Sequence, residues 1–273
     1  MKEFKTKLVK FYDYNDLCKE VIEIDFMGFG RKGGRKGRKS NEVSSEDRKR
    51  NYKRIKRNTR RICLANDLGQ IHLVLTYKIN MQDVDKADEQ FKKFIFELRK
   101  YYPSLLYLAT REFQKENEGR YSLHYHVLLN QRIDLKKVNL IWNKQEVLKP
   151  DHRQEDFRGF AFIVAHENQL KAIMYALKYI SKEVGEVVFK SEKGHTKKSY
   201  LLSQGLKKEV EACTSKFLIH SPEGYFKYTN ELNMLMSDIP AKWDLSFEID
   251  VDTSDGSKKI SGRSLMLCYD MAC

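Results

Sequence analysis

Apolar positions recur along the chain with two different periods, and the switches between them mark out the elements. "TKLVKFYDY" (6–14) and "KEVIEIDF" (19–26) alternate apolar with polar residues, which predicts two short strands without a core of their own, docked on the domain that comes after them. "QIHLVLTYKI" (70–79) reads as an apolar, β-branched strand. From Asp83 the period lengthens, with Val84, Ala87, Phe91, Phe94 and Leu98 on one helical face. "SLLYLATREF" (104–113) returns to strand, "QKENEGR" (114–120) turns the chain at Gly119, and "YSLHYHVLLN" (121–130) runs back. "DLKKVNLIWNK" is read as a short helix, "FRGFAFIVA" as a strand after a loop, and "ENQLKAIMYALKYISKEVG" as a strongly periodic helix. Beyond about residue 210 the pattern fades into strand fragments such as "GYFKYT" and a tail. The expected division is an N-terminal strand extension (1–30), a basic arm and helix (31–66), a main domain (67–210) and a C-terminal extension (211–273).

Composition narrows the class. At 41% hydrophobic residues the 273-residue chain can bury a proper core, yet no apolar run approaches the roughly 20 residues that span a bilayer. "MKEFKTKLVKFYDYND" lacks the apolar stretch of a signal peptide. The five cysteines, Cys18, Cys63, Cys213, Cys268 and Cys273, are odd in number and scattered without a C-x-x-C. These features predict reduced thiols in a soluble, cytoplasmic protein with no membrane contact and no zinc knuckle.

Charge is uneven. The net charge is +13, and between Arg31 and Arg61 there are 15 Lys/Arg against Glu42, Glu46 and Asp47. "GFGRKGGRKGRKS" (28–40) alternates glycines with paired cations, a flexible arm that lacks the Gly-Lys-Ser/Thr closing a phosphate loop for ATP. Ser44 or Ser45 can cap the helix "EDRKRNYKRIKRNTRRICLAN" that comes next, whose basic residues lie almost all around it. The block is either a solubilising tail or the footprint of a polyanion. On the second reading Arg31, Lys32, Arg35, Lys36, Arg38 and Lys39 of the arm, with Lys53, Arg57, Arg60 and Arg61 of the helix, contact a phosphate backbone.

The chemistry concentrates in two short stretches. In "SLHYHVLL" (122–129), His124 and His126 lie two apart on a strand and therefore on one face. They are either polar residues on the solvent side of a half-buried strand or a pair able to grip a metal. Glu112, on the preceding strand, is either a surface carboxylate paired with a lysine or a third donor converging on that face. In "YALKYISK" (175–182), Tyr175, Lys178, Tyr179 and Lys182 fall at i, i+3, i+4 and i+7, one helical stripe, while Ile173, Leu177 and Ile180 supply an apolar face elsewhere. Tyrosines at such spacing are ordinary packing residues; beside two ammonium groups they become candidate nucleophiles, because a lysine near a phenol favours the phenolate.

"LHYHVLL" followed some 50 residues later by "YALKYISKE" resembles the HUH endonucleases, in particular the rolling-circle replication initiators of small plasmids and single-stranded DNA phages. "RRICLAND", "IHLVLTY", "REFQKE" and "KKSYLLSQGLKK" extend the resemblance, in order, over about residues 50–210. It implies an α+β fold with a central antiparallel β-sheet of ferredoxin or RRM-like type, the histidines on an inner strand and the tyrosine helix across the sheet. It implies His124, His126 and Glu112 as ligands of Mg²⁺ or Mn²⁺, although the loop between Glu112 and His124 is a few residues longer than the family's. Tyr179 of Tyr-x-x-Lys182 would be the nucleophile, and Tyr175, four residues earlier, matches the two-tyrosine initiators. The expected reaction nicks and rejoins single-stranded or hairpin origin DNA through a 5′-phosphotyrosine, with a host helicase as partner. An HUH transposase shares this order of motifs, a relaxase places its tyrosine before the histidines, and a non-catalytic nucleic-acid-binding module is the reading in another class.

Overall fold

The computed structural model describes residues 5–15, 18–25, 45–115, 121–143, 158–182, 198–207, 213–236, 241–253 and 256–268. They divide into two units: Ser45 to Lys207 form a central unit, and the residues up to Asp25 join those from Cys213 onward in a terminal unit.

The central unit is built on an antiparallel sheet of five strands in the order β6-β3-β5-β4-β7. These are β3 (Ile71–Leu75), β4 (Tyr107–Lys115), β5 (Tyr121–Leu129), β6 (Ala161–Val164) and β7 (Tyr200–Leu202). The histidine strand β5 is the middle one. Its odd-numbered side chains, Leu123, Tyr125, Val127 and Leu129, enter a core with Leu73 and Leu75 of β3 and Ala109 of β4. Two helices close that face. α2 (Val84–Tyr101) contributes Ala87, Phe91, Phe94 and Leu98, and α3 (Leu135–Trp142) contributes Val138 and Trp142. Both start where an aspartate can accept from a free backbone N–H: Asp83 from Lys86 N and Asp134 from Lys136 N. Beneath this apolar layer lies one ion pair, in which Asp88 takes a bidentate fork from Arg111 at 2.7 and 2.8 Å and a third bond from the Tyr125 hydroxyl at 2.9 Å. Both carboxylate oxygens are thus satisfied, the condition under which a buried charge pair is tolerated.

The opposite face of the sheet is covered by α4 (Gln169–Lys182), against which packs α1 (Ser45–Ala65). α4 is fixed at its start: Asn168 accepts from Lys171 N at 2.9 Å, and the Gln169 side chain donates to Leu68 O at 2.9 Å. Gly69 has a positive φ of 102°, and a Cβ there would lie 3.1 Å from both Gln169 O and Ile173 Cγ1. A second close approach sits at Gly159, before β6, where a Cβ would fall 2.0 Å from Thr76 O. The fold is thus α+β with antiparallel sheets, and α4 lies across the histidine face.

The terminal unit departs from the expected layout. β1 (Lys7–Asn15) and β2 (Cys18–Asp25) do not stand as an N-terminal extension; they pair with β8 (Cys213–Ile219) and β10 (Gly256–Cys268), and β9 (Ala241–Thr253) completes the order β8-β1-β2-β10-β9. "GYFKYT", read as a strand fragment, lies within helix α5 (Pro222–Met236). Aromatic residues favour strands, but Tyr225, Tyr228 and Leu232 recur at helical spacing, and Tyr228 and Leu232 close a core with Val9, Val21, Ile219 and Leu265. The hydroxyls of Tyr225 and Tyr228 both donate to the Glu23 carboxylate at 2.9 Å. Glu20, fully buried, accepts from Tyr14 and Ser264 at 2.5 Å each.

Candidate active site

Strand pairing places the sequence-predicted donors. On β5, His124 and His126 share the face opposite the apolar core, and in register with β4 Glu112 stands directly across from His124 and Thr110 across from His126. The pairing continues unbroken from Glu112 to Lys115, so the greater separation between Glu112 and His124 does not displace the carboxylate from the histidines. Neither imidazole lines a solvent face: His124 is 7% exposed and His126 5%, because α4 covers this side of the sheet.

His126 is the hub. Its Nε2 lies 2.9 Å from Glu112 Oε2, and its Nδ1 lies 3.1 Å from Nε2 of His72 on β3. The other nitrogen of His72 is 2.7 Å from Nε2 of His166, in the turn that leads into α4. Glu112, His126, His72 and His166 therefore form one continuous line of polar contacts. The sequence motifs do not single out His72 or His166. A histidine inside the apolar run "IHLVL" was the available signal, since a 1% exposed imidazole needs partners. Burial, then the neighbouring His126, His166 and Lys178, bring the His72 pKa down to about 3, and burial and Lys178 lower that of His166.

α4 brings its phenols onto this line. The Tyr179 ring stacks on the His126 ring with centroids 4.0 Å apart and planes 9° from parallel. Tyr175 packs one turn earlier, its ring 5.5 Å from Tyr179, 5.4 Å from His72 and 5.3 Å from His166. The backbone carbonyl of Ala176, between them, accepts from Thr110 Oγ1 at 3.4 Å and ties the helix to β4. Lys178 spans the two aromatic faces, its Nζ 3.7 Å from the Tyr175 centroid and 4.9 Å from that of Tyr179. The ammonium thus meets the ring faces, and the expected lowering of the nucleophile's pKa does not occur. Burial, a hydrogen bond with Tyr175 and the charge of Glu112 push the Tyr179 phenol above its usual range. Ile173, Leu177 and Ile180 are all buried, so α4 is packed on more than its tyrosine side. Lys182 closes the helix, its side chain outside the described residues.

The donor types of Glu112, His124 and His126, one carboxylate and two imidazoles, suit a divalent ion that keeps positions open for phosphate and water. Among the described residues, however, no three His, Cys, Asp or Glu side chains are drawn together around one point. Instead, His126 turns both of its nitrogens to protein partners.

Of the predicted phosphate-binding residues, Arg31, Lys32, Arg35, Lys36, Arg38 and Lys39 lie outside the described residues. Lys53 is exposed and Arg57 half-buried, whereas Arg60 and Arg61 are 8% and 7% exposed. The last turns of α1 bury these two arginines beside Cys63 and Leu64, so neither presents an open cationic face. No helix among the described residues is long and apolar enough to cross a membrane.

Comparison of the chain with curated proteins and with solved structures gives no match. Residues 70–184, which hold Glu112, both paired histidines and both tyrosines, match the model of the family described as replication-associated protein ORF2, and that region belongs with the replication-associated proteins, as fits a rolling-circle replication initiator.

Proposed function

We propose that this protein starts rolling-circle replication by cutting and rejoining single-stranded origin DNA through a covalent tyrosine intermediate. The observation that carries the reading is the stacking of Tyr179 on His126: a phenol nucleophile stands against the imidazole that touches Glu112. In the reaction the Tyr179 oxygen attacks phosphorus, an O–P bond forms, and the bond from phosphorus to the 3′ oxygen breaks. The phenol proton passes, in the net balance, to the departing 3′ oxygen. The products are a 5′-phosphotyrosine and a free 3′-OH, and attack by a 3′-OH reverses the step. One phosphodiester replaces another, so no ATP is needed and the protein's contribution is positioning and charge. Tyr179 is held for this by its stacked neighbour, Tyr175 stands close enough to receive the strand in a second transfer, and Lys178 contributes the cation nearest both rings. Glu112, His124 and His126 would hold Mg²⁺ or Mn²⁺, which when bound supplies Lewis-acid polarisation of the scissile phosphate. Single-stranded or hairpin origin DNA is the substrate, and strand displacement then calls for a host helicase.

The test is to incubate the full chain with Mn²⁺ or Mg²⁺ and single-stranded DNA from its own replicon and to look for a covalent adduct on a denaturing gel. The adduct is expected with metal and is lost in chelator and in His124→Ala or His126→Ala. An adduct that persists when both tyrosines are phenylalanine would refute the mechanism.

A further inference from the structure

Three imidazoles in a row, His126, His72 and His166, come from β5, β3 and the turn before α4, and only the first belongs to the donor set of the proposed reaction. His72 lies 54 residues from His126 and 94 from His166 in the chain, so the sheet itself brings them together.

We infer that His72, backed by His166, is a positioning residue that sets which nitrogen of His126 is offered toward Glu112. This role rests on the proposed nuclease function and deepens it. A ring nitrogen carries either a hydrogen or a lone pair, and the partner of one nitrogen dictates the state of the other. Facing a carboxylate at 2.9 Å, His126 Nε2 carries hydrogen; Nδ1 is then a lone pair and accepts from His72 Nε2–H. That leaves His72 Nδ1 a lone pair, which accepts from His166 Nε2–H at 2.7 Å. Every contact in the row has one donor and one acceptor. To present a lone pair at Nε2 instead, His126 must carry its hydrogen on Nδ1, and His72 must then accept at Nε2 and donate at Nδ1. An imidazole can exchange the two roles between its nitrogens without gaining charge, provided that its second nitrogen also has a partner able to exchange. His166 is that partner. An amide or hydroxyl at position 72 could meet His126 in either sense, but it would not carry the reversal on to His166.

The deciding measurement is long-range ¹H–¹⁵N correlation on the full chain in chelator, which reads the His126 tautomer directly, combined with Mn²⁺ titration. Wild type is expected to show His126 with hydrogen on Nε2. His72→Leu should mix the two tautomers and weaken Mn²⁺ binding by about 10- to 100-fold, the usual effect of removing a partner of a metal-bound histidine. His72→Gln, which keeps a polar group near the Nε2 position, should recover most of the affinity, and His166→Ala should give a smaller loss. The inference is overturned if His72→Leu leaves the His126 tautomer unchanged. Wild-type protein that takes up no Mn²⁺ would refute the metal assignment, while the tautomer spectra still decide the role of His72. Far-UV circular dichroism confirms that each variant is folded.

Discussion

The ring of Tyr179 lies flat on the ring of His126, 4.0 Å away and 9° from parallel, and this single contact joins helix α4 to the central strand of the sheet. Both residues are buried, so the phenol is held where it is by packing. Replacement by phenylalanine keeps the stack and removes only the hydroxyl. Tyr179→Phe is therefore expected to fold normally and to lose the covalent adduct. Tyr175→Phe should still form the first adduct but fail in strand transfer. Adduct formation and transfer, measured separately on labelled DNA with metal present, distinguish the two; an adduct mapping to Tyr175 alone reverses their order.

The cations of the N-terminal half should separate into two groups. Deleting residues 31–40 is expected to weaken binding to many DNA sequences alike and to flatten the salt dependence, the log–log slope falling by roughly 0.7 for every single-strand phosphate no longer neutralised. Lys53→Ala, at an exposed position, should do the same on a smaller scale. Arg60→Ala should instead lower the unfolding midpoint, since this side chain is packed within the base of α1. Fluorescence anisotropy over a salt series and thermal melts check the two halves.

Alkaline pH should loosen the terminal unit. Burial, the hydrogen bond to Glu23 and its charge push the Tyr225 phenol up to about 12 and raise that of Tyr228 as well. The folded state holds these protons more tightly than the unfolded chain, whose tyrosines titrate near 10. Their stabilisation is therefore complete below about pH 10 and is lost as pH rises toward the folded value. Urea melts between pH 8 and 12 are expected to show that decline, and Tyr225→Phe with Tyr228→Phe should flatten it while costing stability at pH 8, where Glu23 is left short of two donors.

Two glycines give a paired test of backbone approach. Gly159→Ala would place a Cβ 2.0 Å from Thr76 O, where backbone must move, and is expected to destabilise by about 3 kcal/mol or more as β6 shifts from β3. Gly205 has a φ of 83° and open space around its Cβ position, so Gly205→Ala should cost only the left-handed backbone penalty, about 1–2 kcal/mol. Equal effects in chemical denaturation would contradict the close contact at Gly159.

The features legible in the sequence were those set by local period. His124 and His126 share a face by strand alternation, and Tyr175, Lys178 and Tyr179 share a stripe by helical spacing; both placements need only neighbours in the chain. The start of α2 at Asp83 and the apolar face of that helix were readable for the same reason. His72 and His166 were not, because their meaning lies in partners brought by pairing of β3 with β5 and β6. The burial of Arg60 and Arg61 was hidden too: a helix rich in cations along its length gives no hint of which turn packs against α4. In the terminal unit, Lys7 pairs with Ile219 and Ser264 with Ile22, separations across which no local period can speak.

That long-range pairing also sets an order of assembly during synthesis. The strands β1 and β2 leave the ribosome first, yet their sheet neighbours β8 and β10 emerge only after the whole of the central unit has been made. The stretch from β8 to β10 takes about 3–12 s to emerge at roughly 5–20 residues per second. Throughout that interval the segments of the central unit are all available to one another, while the first hairpin has nothing on either edge. The cell therefore meets a chain whose histidine and tyrosine site can be finished while its leading hairpin, with exposed strand edges, still awaits closure, and this hairpin is where nascent-chain aggregation or chaperone engagement would concentrate.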